Sequence, residues 1–193
     1  MRNICVFCGS SPGFDPAHAD AATALGMTLA EAGIGLVYGG GGVGLMGIVA
    51  DAAMAAGGTV TGVIPQALFD MEVAHRGLTE LHVVKSMHER KAMMADMSDG
   101  FIALSGGIGT FEELFEIWTW GQLGDHAKPV ALLNVAGFYD KLISFLDDVV
   151  AAGFFRTQHR AMLQVSDDPA RLIEAMRDWR PAQMGKWITP SER

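Results

Sequence analysis

Short apolar segments that alternate with helical segments constrain the fold of this chain more than any other feature. Apolar runs such as residues 34–38 and 101–104 are each followed by glycines and then by a stretch with helical spacing. Strands joined in this way pair in parallel through right-handed crossovers, and the helices cover both faces of the sheet. The pattern predicts an α/β fold, a doubly wound, mostly parallel, Rossmann-like sheet flanked by helices in a single domain.

The alternation gives approximate bounds for each element. Strands are predicted at residues 3–8, 34–38, 59–64, 81–84, 101–104, 129–134 and 162–165. Helices are predicted at residues 17–32, 45–56, 86–97, 110–122, 139–152 and 169–179. Residues 66–80 are expected to be irregular. We expect one nucleotide-binding domain over residues 1–186, followed by a flexible tail over 187–193, because no linker or repeat indicates a second domain.

The composition narrows the class of partner. Half of the 193 residues are hydrophobic, and the formal net charge is −8. This charge disfavours nucleic acid and anionic membranes as partners, although it does not exclude a small anion in a local pocket. No apolar run approaches the ~20 residues of a membrane-spanning helix, and the first residues do not form a signal peptide. The sequence predicts a cytoplasmic protein.

The two cysteines, Cys5 and Cys8, stand in a C-x-x-C spacing. A redox motif would lie at the start of a helix, whereas these residues fall within a predicted strand and face opposite sides of it. We therefore expect two buried thiols. No second pair of cysteines or H-x-x-x-H spacing completes a zinc site, so no metal is expected.

The stretch 104–113 carries the strongest functional pattern. A predicted strand is followed within four positions by the glycines Gly106, Gly107 and Gly109, and a helix is predicted to begin at Thr110. Glycine lets a ligand approach the backbone, and the free N–H groups at the start of a helix favour an anion. With Glu113 in the first turn, the stretch predicts a phosphate-binding loop beside a carboxylate.

A purely structural explanation exists for the same residues. Thr110 and Glu113 have the T-x-x-E spacing of a capping box, in which the glutamate binds the backbone N–H of the capping threonine. From this stretch alone, both explanations remain open.

A second glycine-rich turn follows the second predicted strand. Gly42-Val43-Gly44-Leu45-Met46-Gly47 matches G-x-G-x-x-G, which in dinucleotide-binding folds follows the first strand and is accompanied by an acidic residue after the next strand. Here that next strand is followed by no acidic residue until Asp70. NAD binding is poorly supported, and Gly41, Gly42 and Gly44 are instead candidates for a phosphate loop.

Arg90 and Lys91 occupy the first turns of the helix predicted after Ser86. Positive charge there opposes the helix dipole by ~0.3–1 kcal/mol per residue. Surface pairing with Glu89 or Asp96 would explain it, as would an anion shared with the glycine turns, which arginine binds bidentately.

Taken together, these blocks resemble the LONELY GUY family of cytokinin riboside 5′-monophosphate phosphoribohydrolases, often labelled "lysine decarboxylases". The resemblance rests on Gly39-Gly40-Gly41, Gly44-Leu45-Met46-Gly47, Met87-His88-Glu89-Arg90-Lys91 and Gly106-Gly107-Ile108-Gly109-Thr110-Phe111-Glu112-Glu113. It runs from Cys8 to about Phe154. One position departs from the family pattern P-G-G-x-G-T-x-x-E, because Ser105 stands where the family has proline, which puts the rigidity of the loop in question.

The resemblance implies an N-glycosyl hydrolase without cofactor, acting on a purine nucleoside 5′-monophosphate such as AMP or a cytokinin riboside monophosphate. It implies that Arg90 and Glu113 are catalytic. It also implies nucleotide contacts from these further residues: Glu72, Lys91, Gly107, Ile108, Gly109, Thr110, Phe111, Glu112 and Thr119. A homodimer with sites near its interface is implied as well, and the wide spread of apolar residues on the helix that carries Trp118 supports it.

Three alternatives from other classes are weighed against this function. Pyridoxal chemistry would need a lysine for the Schiff base, and Lys91, the one candidate near the motifs, is better explained as an anion contact. A nicotinamide oxidoreductase lacks the acidic ribose contact. A non-catalytic nucleotide-binding or carrier protein on the same fold remains open, because a fold does not fix a function.

Overall fold

The computed structural model describes residues 1–71 and 74–181. Glu72, the expected domain end at residue 186 and the expected tail 187–193 lie outside the described residues. The strands are β1 (Asn3–Phe7), β2 (Gly35–Tyr38), β3 (Val60–Pro65), β4 (Glu80–Val84), β5 (Phe101–Ala103), β6 (Val130–Leu133) and β7 (Leu163–Ser166). The helices are α1 (Pro16–Glu31), α2 (Gly44–Ala55), α3 (Gln66–Asp70), α4 (Met87–Asp96), α5 (Ile108–Leu123), α6 (Asp140–Ala151), α7 (Thr157–Arg160) and α8 (Pro169–Asp178).

These strands form one sheet in the order β4-β3-β2-β1-β5-β6-β7. Every strand pairs in parallel with its neighbours, which confirms the predicted doubly wound α/β architecture. The first four strands run outward from β1 in one direction, and the last three run outward in the other. The order reverses between β1 and β5, and the carboxyl ends of the strands at such a switch point form the usual ligand crevice of this architecture.

The hydrophobic core lies on both faces of the sheet because successive strand residues point to opposite sides. Ile4, Val6 and Cys8 join the core beneath α1, α2 and α8. Cys5 and Phe7 join the core beneath α4, α5 and α6. Both thiols are free and buried, which confirms the sequence-based expectation, and burial raises the pKa of each.

Three predicted features differ from the structure. The segment expected to be irregular contains the short helix α3, and α7 was not anticipated; both are too short to show a helical period. Helix α5 begins at Ile108 rather than Thr110. Gly107 is its N-cap and supplies no side chain, so the capping box with Thr110 as its first residue is wrong.

Candidate active site at the switch point

Three loops interlock at the carboxyl ends of β1, β2 and β5. The N–H of Gly9 donates to the carbonyl of Ser105 at 3.0 Å, and the N–H of Leu45 donates to the carbonyl of Gly9 at 3.0 Å. Gly44 has a φ of +58°, and a Cβ there would lie 2.2 Å from the carbonyl carbon of Ser10. The loop after β1 is therefore held between the other two, and the switch point is a fixed scaffold.

The glycines of the loop after β5 fall into two groups. A Cβ at Gly106 would lie 2.1 Å from Oγ1 of Thr110, so this glycine is required by packing within the chain. A Cβ at Gly107 or Gly109 would meet no atom within 4 Å, and the φ of Gly107 is −101°. Neither packing nor backbone strain explains these two glycines.

Helix α5 begins directly at this loop without a side-chain cap. The first N–H groups of a helix have no partner within the helix. At α5 no side chain caps these N–H groups, and the space beside Gly107 and Gly109 is open. This helix start is therefore suited to an anion.

The loop after β2 differs, because contacts within the chain explain two of its glycines, Gly44 and Gly47. A Cβ at Gly47 would lie 2.6 Å from the carbonyl oxygen of Gly42, whereas one at Gly42 would lie 3.5 Å from Cα of His75, which is an ordinary contact. Gly41 forms an antiparallel bridge with Ala74. Packing within the chain thus requires Gly44, against Ser10, and Gly47, against Gly42, and the phosphate contacts expected of Gly41, Gly42 and Gly44 stay a prediction.

Arg90 and Glu113 form a buried pair on the α4 and α5 side of the sheet. Nη2 of Arg90 lies 3.4 Å from Oε1 of Glu113, and each residue is 8% exposed. Nε of Arg90 is buried and has no hydrogen-bond partner among the described residues. A Cβ at Gly39 would lie 1.9 Å from Nη2 of Arg90. The guanidinium therefore crosses the end of β2 in space that only a glycine leaves open.

Burial dominates the electrostatics of Glu113. Desolvation raises its pKa from 4.5 to about 6, although the neighbouring Arg90 opposes the rise. A carboxyl group that is kept from water but stays largely ionised near neutral pH has properties suited to acid–base or charge-stabilising chemistry.

Lys91 points away from Arg90, towards the outer face of α5. Its Nζ forms ion pairs with Glu112 and, at 2.8 Å, with Oε2 of Glu116. Burial alone would lower the pKa of Lys91, but hydrogen bonds to the two carboxylates raise it above its ordinary value. The surface pairing with Glu89 or Asp96 that the sequence suggested is not what the structure shows. Arg90 and Lys91 are buried, and their ion pairs are with glutamates of α5.

A cavity of about 530 Å³ lies on the α1 side of the glycine-rich loop. It is bounded by the loop after β1, by the start of α1 with His18, by Ser105 and Gly107, and by Phe138. Ser105, which is 3% exposed, places its Oγ 2.9 Å from Nδ1 of His18. Phe111 approaches the same wall, with its ring centroid 6.4 Å from that of Phe138.

Two other predicted contacts lie at the surface. Ile108 is 82% exposed at the start of α5. Thr119 lies nine residues after Thr110, about 14 Å further along the helix, and lines an apolar groove between α5 and α6. This groove has a volume of about 270 Å³ and also contains Phe115, Phe145 and Phe154.

Within the described parts of the chain, no group of three or more histidine, cysteine or acidic side chains is arranged to hold a metal ion. Among the same residues, no helix is both long and apolar enough to span a membrane.

Comparison with known proteins decides the family. Residues 46–176 match the family model described as "Possible lysine decarboxylase". The cytokinin riboside 5′-monophosphate phosphoribohydrolase LOG of Oryza sativa subsp. japonica is 48% identical over 94% of this chain and 75% of its own length. The cytokinin riboside 5′-monophosphate phosphoribohydrolase LOG2 of Arabidopsis thaliana is 47% identical over 94% of this chain and 85% of its own length. This chain belongs to the LONELY GUY family.

Solved structures share the fold at lower sequence identity. The molybdenum cofactor binding protein of Rippkaea orientalis has a TM-score of 0.70 at 22% identity, covering 92% of this chain and 96% of its own. The molybdenum cofactor carrier protein of Chlamydomonas reinhardtii has a TM-score of 0.68 at 23% identity, with the same coverage. At this identity the likeness shows the fold alone.

The motif loops meet at the carboxyl ends of the strands of the predicted parallel sheet. Several contacts around them were not predicted from the sequence. The role of Gly39 depends on a side chain 51 positions later, and the contact between His18 and Ser105 joins residues 87 positions apart. Glu116 was missed as well, although its i+4 spacing from Glu112 could have indicated a shared partner for Lys91.

Proposed function

We propose that this LONELY GUY family protein hydrolyses the N-glycosidic bond of a purine nucleoside 5′-monophosphate, AMP or a cytokinin riboside 5′-monophosphate, to the free base and ribose 5-phosphate. The observation that carries the proposal is the buried pair of Arg90 and Glu113 next to an uncapped, glycine-lined helix start. The relatives from rice and Arabidopsis, which are named for this activity, support it.

The glycine-rich loop is assigned to the 5′-phosphate. Gly107 and Gly109 leave the backbone accessible where no contact within the chain requires glycine. The N–H groups of Ile108, Gly109 and Thr110 are in the first turn of α5, where an anion is favoured by both hydrogen bonding and the helix dipole. A phosphate bound there would fix the sugar relative to the side chains behind the loop.

Arg90 and Glu113 are assigned to the reaction. In the hydrolysis the C1′–N bond breaks, its electron pair leaves with the base, water oxygen bonds to C1′, and one proton of that water ends on the base. The transition state resembles an oxocarbenium ion, so a carboxylate near C1′ stabilises the positive charge or orients the water. Glu113 supplies this charge, and Arg90 holds Glu113 through their ion pair and adds a positive charge for a substrate oxygen.

The remaining expected contacts are assigned around this centre. Glu112 and Phe111 flank the loop, and Lys91 orients Glu112 through its ion pair. Glu72 is proposed to contact the base or the sugar, on the strength of the family resemblance.

Lys91 also bears on the label "lysine decarboxylase". A Schiff base needs a neutral amine, whereas two carboxylates hold this amine in its protonated form. The environment of Lys91 therefore favours the hydrolase over pyridoxal chemistry.

We further propose that the protein acts as a homodimer through the groove between α5 and α6. Phe154 is 88% exposed and Phe145 is 61% exposed, which is costly for a monomer in water. Thr119 in the same groove lies about two and a half turns beyond the phosphate loop of its own chain. A nucleotide contact from Thr119 is therefore most readily made in the site of a second copy, in the cytoplasmic dimer that we infer.

The deciding experiment is the release of free base from a panel of nucleoside 5′-monophosphates, measured by chromatography. We expect adenine and ribose 5-phosphate from AMP, and almost no adenine from adenosine, since the glycine-rich loop and helix start serve the phosphate. Equal rates for AMP and adenosine would show that the loop is not a phosphate site. Tight AMP binding without any product would instead favour the carrier protein.

A further inference from the structure

Ser105 is the last residue before the glycines of the loop, and its side chain is anchored. The hydroxyl is buried and lies 2.9 Å from Nδ1 of His18. Its carbonyl accepts the N–H of Gly9 at 3.0 Å. The entry to the loop is therefore tied both to β1 and to the first turn of α1.

The His18 ring is packed on two sides, and the backbone of His18 is fixed in the first turn of α1. The ring lies edge-on to that of Phe138, with centroids 5.6 Å apart and an interplanar angle of 79°. A Cβ at Gly13 would lie 3.2 Å from Cδ2 of the ring, so the preceding loop closes over it. The backbone N–H of His18 donates to the carbonyl of Asp15, whose side chain caps α1. A fixed imidazole is a suitable anchor for a hydroxyl.

The residues that follow Ser105 have little else to define their conformation. Gly106 packs against Gly9 and Thr110, whereas a Cβ at Gly107 would meet no atom within 4 Å, and α5 begins at the next residue. Glycine has more conformational freedom than any other residue. The conformation of this loop therefore depends on the two points that bound it, Ser105 on one side and helix α5 on the other.

We propose that His18 is a positioning residue, which acts through the Ser105 hydroxyl to hold the glycine-rich loop in its phosphate-binding conformation. This inference rests on the proposed function, in that the loop is taken to bind the 5′-phosphate. Proline, which the family pattern has at this position, would restrict the same residue through its ring. In this chain, a hydrogen bond between two distant segments performs that restriction.

The test is a set of variants at the two positions. His18→Leu and Ser105→Ala each remove the bond, and we expect each to raise the KM for AMP about 3- to 10-fold, the range of one hydrogen bond. The double variant should be no worse than either single one, because both remove the same contact. His18→Asn should retain most of the affinity, since its amide occupies the position of Nδ1.

Ser105→Pro provides the decisive comparison. The Ser105 N–H donates to no acceptor among the described residues, so proline removes no bond there, and its ring restricts φ without a hydroxyl. We expect the double variant His18→Leu/Ser105→Pro to recover the KM that His18→Leu loses. Thr23→Ala, which removes another side-chain hydrogen bond from α1, is the matched control and should leave the KM unchanged.

Amide hydrogen exchange of Gly9 and Phe111, whose N–H groups donate to the carbonyls of Ser105 and Gly107, gives a readout that needs no activity. Exchange should quicken in His18→Leu and return to the wild-type rate when Ser105→Pro is added. If the wild type releases no base from AMP, the proposed function fails, and exchange alone still decides the role of His18. The inference would be overturned if the KM increases of His18→Leu and Ser105→Ala were additive in the variant that combines them. Unchanged amide exchange in His18→Leu would overturn it as well.

Discussion

Replacing Glu113 with glutamine should make the protein more stable and nearly inactive at the same time. Glutamine has the shape of a protonated glutamate, so the substitution removes a charge and little else. The shift of the Glu113 pKa from 4.5 to about 6 includes the attraction of Arg90, and it corresponds to about 2 kcal/mol in favour of the neutral form. Above pH 6, Glu113→Gln should therefore gain up to about 2 kcal/mol in free energy of unfolding.

The gain should depend on pH in a defined direction. Below pH 4.5 the carboxyl group is protonated in both the folded and unfolded states, so wild type and variant should be equally stable. Between pH 4.5 and 6 the folded protein keeps a proton that the unfolded chain has lost, and wild-type stability falls as the pH rises. In a protein of this size, 2 kcal/mol corresponds to about 4–8 °C in melting temperature at neutral pH.

Activity should change in the opposite sense. Loss of a preorganised charge that faces the transition state typically costs about 10²–10³-fold in rate, while AMP binding to the untouched loop should persist. The assays are thermal unfolding at pH 4.5 and 7.5, AMP binding by calorimetry, and adenine release by chromatography. Glu174→Gln, an exposed carboxylate on α8, is the matched control. A Glu113→Gln variant with wild-type turnover, or with the same stability difference at both pH values, would refute this reasoning.

Four further outcomes follow from the geometry of the site. Arg90→Ala should raise the KM for AMP and lower kcat, in contrast to Glu113→Gln; unchanged AMP affinity by calorimetry would contradict this. Gly39→Ala should reduce turnover at least tenfold by displacing the guanidinium, with normal adenine release as the contrary result. Gly107→Ala should keep the melting temperature but weaken AMP binding at least tenfold, since only a ligand needs that space; unaltered binding would remove the phosphate assignment. Phe154→Asp should convert a dimer into monomers by light scattering, and a wild-type monomer at micromolar concentration would rule the dimer out.

The fold could be predicted because each strand and helix carries its own local signal. Alternating apolar and glycine-bounded segments placed β1, β2 and β5 correctly, and parallel pairing then brought their loops to one edge. The short helices α3 and α7 have too few residues to display a period. The start of α5 was misplaced because T-x-x-E indicates a cap, whereas the structure uses Gly107.

The site was less predictable than the fold because its decisive contacts join distant segments. The sequence indicated Arg90 and Glu113 through the family resemblance, but not that both would be buried against Gly39. It indicated a cation at position 91, but not its two carboxylate partners on α5. No local pattern pairs residue 18 with residue 105.

The overlap between position 39 and the guanidinium has a consequence for engineering. Gly39 has no left-handed backbone that would demand glycine, so a survey of local conformation would rank it as a replaceable loop residue after β2. A Cβ there would nevertheless occupy the place of Nη2 of Arg90. Introducing the equivalents of Arg90 and Glu113 into another scaffold would therefore fail unless a glycine were also placed at the position equivalent to Gly39. Arg90, Glu113 and Gly39 therefore have to be transferred together. Gly39 contributes no functional group, but its missing side chain leaves the space that the guanidinium occupies.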